Sequence, residues 1–178
     1  MFWKRKKNNP TKFKCSECGQ IHSEWPALTF KSPANYYFLS DQEKSELGKL
    51  DTDFCEIHYP EQIDRFIRVT LTQKVNDNCE NLEYGLWVSL SEKSYSDYKQ
   101  NFDNQNHETG YFGWLCNNIA EYGNTSLIHC DVITKSGNDR PEIFPHEDYE
   151  HPFVRDYYNG ISKTEAENRI ERMIKNVG

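Results

Sequence analysis

Hydrophobic positions change their spacing several times along this chain, and each change predicts an element. Lys12–Cys15 reads as a short strand entering a turn at Cys18-Gly19, and Pro26 and Pro33 bracket an irregular stretch. Between Ser40 and Leu50 the pattern is helical: Ser40 and Glu43 have capping-box spacing, and Leu47 and Leu50 mark an apolar stripe. The period then shortens. Phe54–His58 and Arg65–Val75 are rich in β-branched and aromatic residues, and the loop Tyr59-Pro60-Glu61-Gln62 between them predicts an antiparallel pair. Asp77–Asn81 is polar turn material. Leu82–Leu90 returns to strand, with Tyr84, Leu86, Val88 and Leu90 on one face and Trp87 on the other, so both of its faces are expected to be covered.

Ser91 can cap a helix whose Tyr95, Tyr98 and Phe102 recur at helical spacing. A polar loop with Asn101, Asn104, Asn106 and Gly110 follows, and the short apolar run Tyr111–Ile119 is read as helix. Leu127–Thr134 and Glu142–Phe144 read as strands around a Ser136-Gly137-Asn138 turn, and Pro152 opens a short helix that ends near Gly160. In the last helix Ser162 and Glu165 stand at capping-box spacing, Ile161 and Ala166 at staple positions, and Ala166, Ile170, Met173, Ile174 and Val177 line one face. Together these predict an α+β fold: a mainly antiparallel sheet with peripheral helices, preceded by a zinc-knuckle-like turn. No repeat or long linker interrupts the pattern, so the expected division is a basic flexible tail over residues 1–11 and a single α+β domain over residues 12–178.

Composition changes this picture in two ways. The hydrophobic fraction is only 36% and the mean hydropathy −0.91, values that alone lean toward disorder. Against them stand 10 Phe, 11 Tyr and 4 Trp, so the core is expected to be built from rings more than from aliphatic side chains. Charge is unevenly spread. Residues 1–14 hold six basic groups and no acid, whereas the rest of the chain carries 15 basic groups against 28 acids. A body that acidic repels phosphate backbones and argues against a nucleic-acid partner. No run approaches the roughly 18 apolar residues of a membrane span, and no apolar stretch of a signal peptide follows the basic cluster, which predicts a cytoplasmic protein.

In a reducing compartment the six cysteines (Cys15, Cys18, Cys55, Cys79, Cys116 and Cys130) are expected to be ligands, nucleophiles or small core residues rather than disulfides. Cys15-Ser16-Glu17-Cys18-Gly19 carries the most information. Two thiolates at C-x-x-C in a tight turn can hold one cation side by side, and Gly19 permits the unusual backbone angles. Zinc suits such soft ligands and needs two more. Cys55 is the expected third ligand, being a thiol in a strand that could return to the turn. For the fourth place His22 competes with His58, which forms Cys55-Glu56-Ile57-His58; residues three apart on a regular strand point to opposite faces, so His58 would require a turn there. A cation here is expected to be structural, since nothing around Cys15 supplies a recognisable general base.

Several longer segments carry a resemblance: Cys15-Ser16-Glu17-Cys18-Gly19 with His22 and Pro26, Asp53-Phe54-Cys55, Gly85-Leu86-Trp87-Val88-Ser89-Leu90-Ser91, Tyr111-Phe112-Gly113-Trp114-Leu115, and His151-Pro152. In this order the chain resembles the bacterial domain of unknown function family numbered 2199, over roughly residues 13–175. The family's pattern reserves no histidine where His58 stands, so the resemblance favours His22 and a metal set of Cys15, Cys18, Cys55 and His22. It implies no activity.

Other constellations are weaker. Tyr111–Leu115 reads as core packing before it reads as an aromatic platform for a ligand. His129-Cys130-Asp131 holds types used in nucleophilic catalysis, but neighbours on a strand face opposite ways. His146–His151 lacks H-E-x-x-H spacing and reads as an acidic loop with His151 at a helix start. No catalytic or cofactor-binding residues are assigned. The expected function is a zinc-stabilised binding or interaction domain without catalysis, its partner an unidentified protein or small molecule. The alternatives are a small hydrolase or transferase using Cys55, His22 or His151, and an acidic, immunity-type inhibitor of a basic protein.

Overall fold

Alternation dominates the middle of the chain, and there the sheet closes on itself. The computed structural model describes residues 12–15 and 18–176. β1 (Lys12–Lys14) and β2 (Ile21–Ser23) form a small antiparallel hairpin. β3 (Leu28–Thr29), α1 (Ala34–Tyr37), α2 (Asp41–Leu47), β4 (Gly48–Leu50) and β5 (Phe54–His58) lead to the long strand β6 (Ile63–Gln73). β7 (Leu82–Ser89), α3 (Glu92–Gln100), β8 (Gly110–Leu115), β9 (His129–Ile133), β10 (Glu142–Pro145), α4 (Pro152–Asn159) and α5 (Lys163–Asn176) complete the order.

Strands β6 to β10 pair in sequence, and β10 returns to β6, which makes a five-stranded barrel. A meander of five alternating strands leaves its first and last members running the same way, so the closing pair is parallel: Glu142 lies beside Thr70, whose N–H donates to the Pro141 carbonyl at 2.8 Å. The other pairs of the ring are antiparallel. β5 lies along the first half of β6 and carries β4 outside it, while β3 lies parallel to the free edge of β7.

Period-two alternation fills the barrel. Ile67, Val69 and Leu71 of β6, Leu82, Tyr84, Leu86 and Val88 of β7, and Leu115, Cys130, Val132 and Ile143 of the later strands are buried together. Phe153 and Val154 of α4 and Ala166 and Ile170 of α5 join the same core. A second core forms outside the barrel wall, where Cys55, Ile57, Phe66, Trp87 and Cys116 pack against Tyr36, Leu39, Leu47 and Tyr59. Trp87 is fully buried there and its indole N–H donates to the Phe30 carbonyl at 3.0 Å, so both faces of β7 are covered.

Where β8 ends, one side chain takes over the ladder. Asn117 is 1% exposed; its Oδ1 accepts from the Trp87 N–H at 2.8 Å and its Nδ2 donates to the Ser32 carbonyl at 3.0 Å. Asn117→Ala leaves both backbone groups unpaired, and urea denaturation is expected to show a loss of about 2–3 kcal/mol with the slope unchanged.

The core is not built mainly from rings: Leu, Ile and Val fill most of the barrel, with Tyr84, Tyr95, Tyr98 and Phe153 the rings buried among them, since period-two strands supply branched aliphatic side chains to its interior. Three expectations about single elements also need correction. The run Tyr111–Ile119 is not a helix: Gly110–Leu115 is strand β8, paired with β7 and β9. A short apolar, aromatic run fits either period, and the neighbouring strand edges decide it. The helix expected to reach Leu50 stops at Leu47, and Gly48–Leu50 pairs with β5 as β4. Gly48 makes the change feasible, since a Cβ there would stand 2.6 Å from the Tyr36 ring. Phe102 lies beyond the end of α3 and is 40% exposed, though its ring still meets Phe54 at 5.0 Å. The capping box at Ser40–Glu43 forms in full. At α5 only half of it forms: Ser162 accepts from the Glu165 N–H at 3.1 Å, while the Glu165 carboxylate turns to Arg169. Val177 and the tail over residues 1–11 lie outside the described residues.

Candidate metal centre

The site begins with the turn between β1 and β2. The Gly19 N–H donates to the Cys15 carbonyl at 2.9 Å and the Cys15 N–H to the Gln20 carbonyl at 2.8 Å, which brings the chain back on itself within one turn. Gly19 has φ +71°, a left-handed conformation that costs a residue with a side chain, while no atom lies within 4 Å of where its Cβ would be. The demand for glycine is therefore purely conformational. On β2, His22 stands opposite Phe13, and its Nε2 lies 3.0 Å from the Cys18 sulfur.

The fourth member comes from the loop between β6 and β7. The donor atoms of Cys15, Cys18, His22 and Cys79 all lie within 4.8 Å of one another. A tetrahedral ion with bonds of about 2.3 Å sets its donors about 3.8 Å apart, so this spacing needs little adjustment to close on a cation. Cys15 is 7% exposed, whereas Cys18 and Cys79 lie at the surface. Hydrogen bonding to the Cys18 and Cys15 sulfurs pushes the Cys79 thiol up to about 12. Crowded sulfurs resist ionising together, and a bound cation reverses that preference.

Cys79 is held from two directions. The Trp25 N–H, just past the hairpin, donates to the Glu80 carboxylate at 2.8 Å. On the other side the Asn76 N–H donates to the Ile161 carbonyl at 2.9 Å and Asp77 Oδ1 accepts from the Lys163 N–H at 2.6 Å, which ties the loop to the start of α5. The cluster therefore joins the amino-terminal hairpin to a loop that the carboxyl-terminal helix already anchors.

Of the sequence-predicted ligands, Cys15, Cys18 and His22 come together and Cys55 does not join them. Cys55 has no exposed surface; it faces Phe66 across the β5–β6 pair, and burial pushes its thiol up to about 12. Along β5, Cys55 and Ile57 alternate into the second core, so this sulfur serves as a small hydrophobe. His58 leaves on the opposite face, with its Nε2 2.8 Å from the Glu56 carboxylate. Sequence reasoning missed Cys79, yet a signal was present: free cysteine is among the most buried residue types, and Asp77-Asn78-Cys79-Glu80-Asn81 gives it no apolar neighbour.

The residues of the catalytic alternative occupy three different settings. His22 is in the hairpin and Cys55 is in the second core. His151 caps α4, with its Nδ1 accepting from the Phe153 N–H at 3.1 Å. In His129-Cys130-Asp131 the cysteine points into the barrel with no exposure and its neighbours point out. Tyr111–Leu115 divides by alternation: Gly113 and Leu115 are buried, while Phe112 and Trp114 stand half exposed on the outside.

The family model described as an uncharacterized protein conserved in bacteria (DUF2199) matches residues 14–161. No curated protein and no solved structure matches the chain. No helix among the described residues is long and apolar enough to cross a membrane.

Proposed function

The chain belongs to that bacterial family of uncharacterized proteins, and since the family brings no activity with it, we propose from the geometry alone a cytoplasmic binding domain stapled by one structural zinc ion. Residues 12–178 act in this reading as one domain, with Cys15, Cys18, Cys79 and His22 as ligands. The observation that carries it is the convergence of three sulfurs and one imidazole nitrogen within 4.8 Å. Three thiolates and a histidine form a ligand set that zinc takes in closed, structural sites; with four protein donors no position remains open for a substrate or water. Catalysis by such an ion is disfavoured on that ground, and the high-lying Cys55 thiol makes a poor nucleophile at neutral pH.

Metal analysis of protein purified without added zinc tests the reading. The expected content is about one zinc per chain, and cobalt exchanged into the site should give the visible bands of a tetrahedral thiolate centre. A folded protein that holds neither metal at micromolar concentrations overturns it.

A further inference from the structure

Outward-facing side chains of β8, β9 and β10 form a second feature that the zinc reading leaves unexplained. The strand registers place Phe112 beside Asp131 and Asp131 beside Phe144, with Trp114 next to His129. Phe112 is 49% exposed, Trp114 44% and Phe144 38%, so this barrel wall presents rings to solvent instead of burying them. The Phe112 ring lies 5.4 Å from His129 and 5.6 Å from His146, which makes the patch continuous. Beside it runs a groove of about 750 Å³ whose walls include Phe38, Ile63, Phe112, Trp114 and Leu127. Leu127 adopts φ 71°, a conformation uncommon for a bulky residue, and is 55% exposed at that edge.

Two carboxylates, Asp131 and Glu147, stand beside these rings, while in the groove wall Asp64 and Arg65 offset each other and Arg65 also pairs with Glu92 at 3.2 Å. The Asp131 side chain is 60% exposed and stands between two phenylalanines, with His146 Nε2 at 2.9 Å from its carboxylate. Asp131 and Glu147 both bear on the Tyr158 phenol: burial raises its pKa first, and the two carboxylates raise it further, so their fields overlap here. Beyond residue 14 the chain carries 28 acids against 15 basic groups, and two copies meeting face to face would set these charges against each other.

We propose that the outer face of β8–β10 with its adjoining groove is a docking surface for a basic, arginine-containing segment of another polypeptide. Guanidinium planes stack on Trp114 and Phe112, and one of them pairs with Asp131, whose carboxylate loses water when a partner covers the flanking rings. The inference rests on the reading of the chain as a binding domain, while the docking face includes none of the four metal ligands.

A labelled octa-arginine peptide titrated into the full chain at 0.15 M salt tests it by fluorescence anisotropy, with octa-glutamate as the control peptide. One peptide per chain is expected, with affinity falling at least about tenfold in Asp131→Asn and in Trp114→Ala and less than about twofold in Glu171→Gln, a charge removed from α5. Equal losses in Asp131→Asn and Glu171→Gln mean diffuse attraction and overturn the proposal. So does tighter binding once Lys4, Arg5, Lys6 and Lys7 are changed to Gln, since the chain's own tail is then the occupant. A dimer in sedimentation that Trp114→Ala dissolves also overturns it, because the face then receives a second copy. Thermal melting and metal content of each variant separate the two ideas: a zinc-free protein that still binds the peptide sinks the staple alone, and a zinc-loaded protein that does not bind sinks this surface alone.

Discussion

Replacing Cys79 by Ser is expected to cut retained metal from about one ion per chain to below about 0.1 and to speed tryptic cleavage after Lys12 and Lys14 by at least about tenfold. The hairpin that carries Cys15, Cys18 and His22 has little apolar surface of its own to dock with. Phe13 is 39% exposed and Ile21 72% exposed, so packing cannot hold β1 and β2 in place. On the proposed reading the metal-bound cluster holds them, assisted by the bond from Trp25 to Glu80. With one thiolate gone, three donors bind the ion far more weakly, and the energy that ordered the hairpin goes with it. A strong chelator on the unaltered protein should reproduce the cleavage pattern.

The partner measurement is Cys55→Ser, which should retain the ion. Its cost arises elsewhere, about 1–3 kcal/mol for a hydroxyl placed among Ile57, Phe66 and Trp87. The two serine variants thus separate sharply: one loses metal with its hairpin, the other loses global stability with metal intact. The reverse result would return Cys55 to the ligand set and remove Cys79 from it.

These two cysteines also show how far the sequence was legible. The turn at Cys15–Gly19 and the place of His22 could be read because their signals are local: two thiols in one turn, a glycine at a left-handed position, a histidine four residues on. Sequence alone favours Cys55 as third ligand, as a thiol in a strand that could return, and passes over Cys79, because the ligand's identity turns on long-range position, for which thiol softness is no guide. Alternation holds the discrimination that was not used, since Cys55 shares with Ile57 the face of β5 turned to the second core, whereas Cys79 sits in a polar turn where a small hydrophobe has no reason to be. The fold divides similarly. Antiparallel pairing of β5, β6 and β7 was written in short loops and period-two runs. Closure of the barrel was not, because Thr70 meets Pro141 and Glu142 across some seventy residues and no local pattern announces that meeting. For β8 six residues were too few to fix a period, and the open edge of β9 made the choice.

Arg169→Met is expected to cost about 3 kcal/mol of stability, measured by urea denaturation, because it removes the centre of a buried polar network. Arg169 is 2% exposed on α5. Its Nε donates to Glu165 Oε1 at 2.8 Å, one terminal nitrogen to the Tyr84 hydroxyl at 3.0 Å and the other to the Tyr122 hydroxyl at 2.6 Å. The Tyr122 hydroxyl in turn donates to Asp156 Oδ2 on α4 at 2.6 Å, so one guanidinium ties α5 to the barrel strand β7 and, through Tyr122, to α4. Burial disfavours the charge, but the surrounding hydroxyls and the Glu165 carboxylate outweigh it and hold the pKa above its ordinary value. Methionine fills comparable space and offers no donor, which leaves the Tyr84 hydroxyl without its partner inside the core. Arg169→Lys should recover only part of the loss, since one ammonium cannot serve three directions fixed by a planar fork. Adding Tyr84→Phe to Arg169→Met removes the orphaned hydroxyl and should restore about 1 kcal/mol, a coupling a double-mutant cycle can read. A loss below about 0.5 kcal/mol for Arg169→Met would mean that water replaces the guanidinium at no cost, and that the packing of Ala166 and Ile170 with the remaining contacts of α5 is enough to hold it.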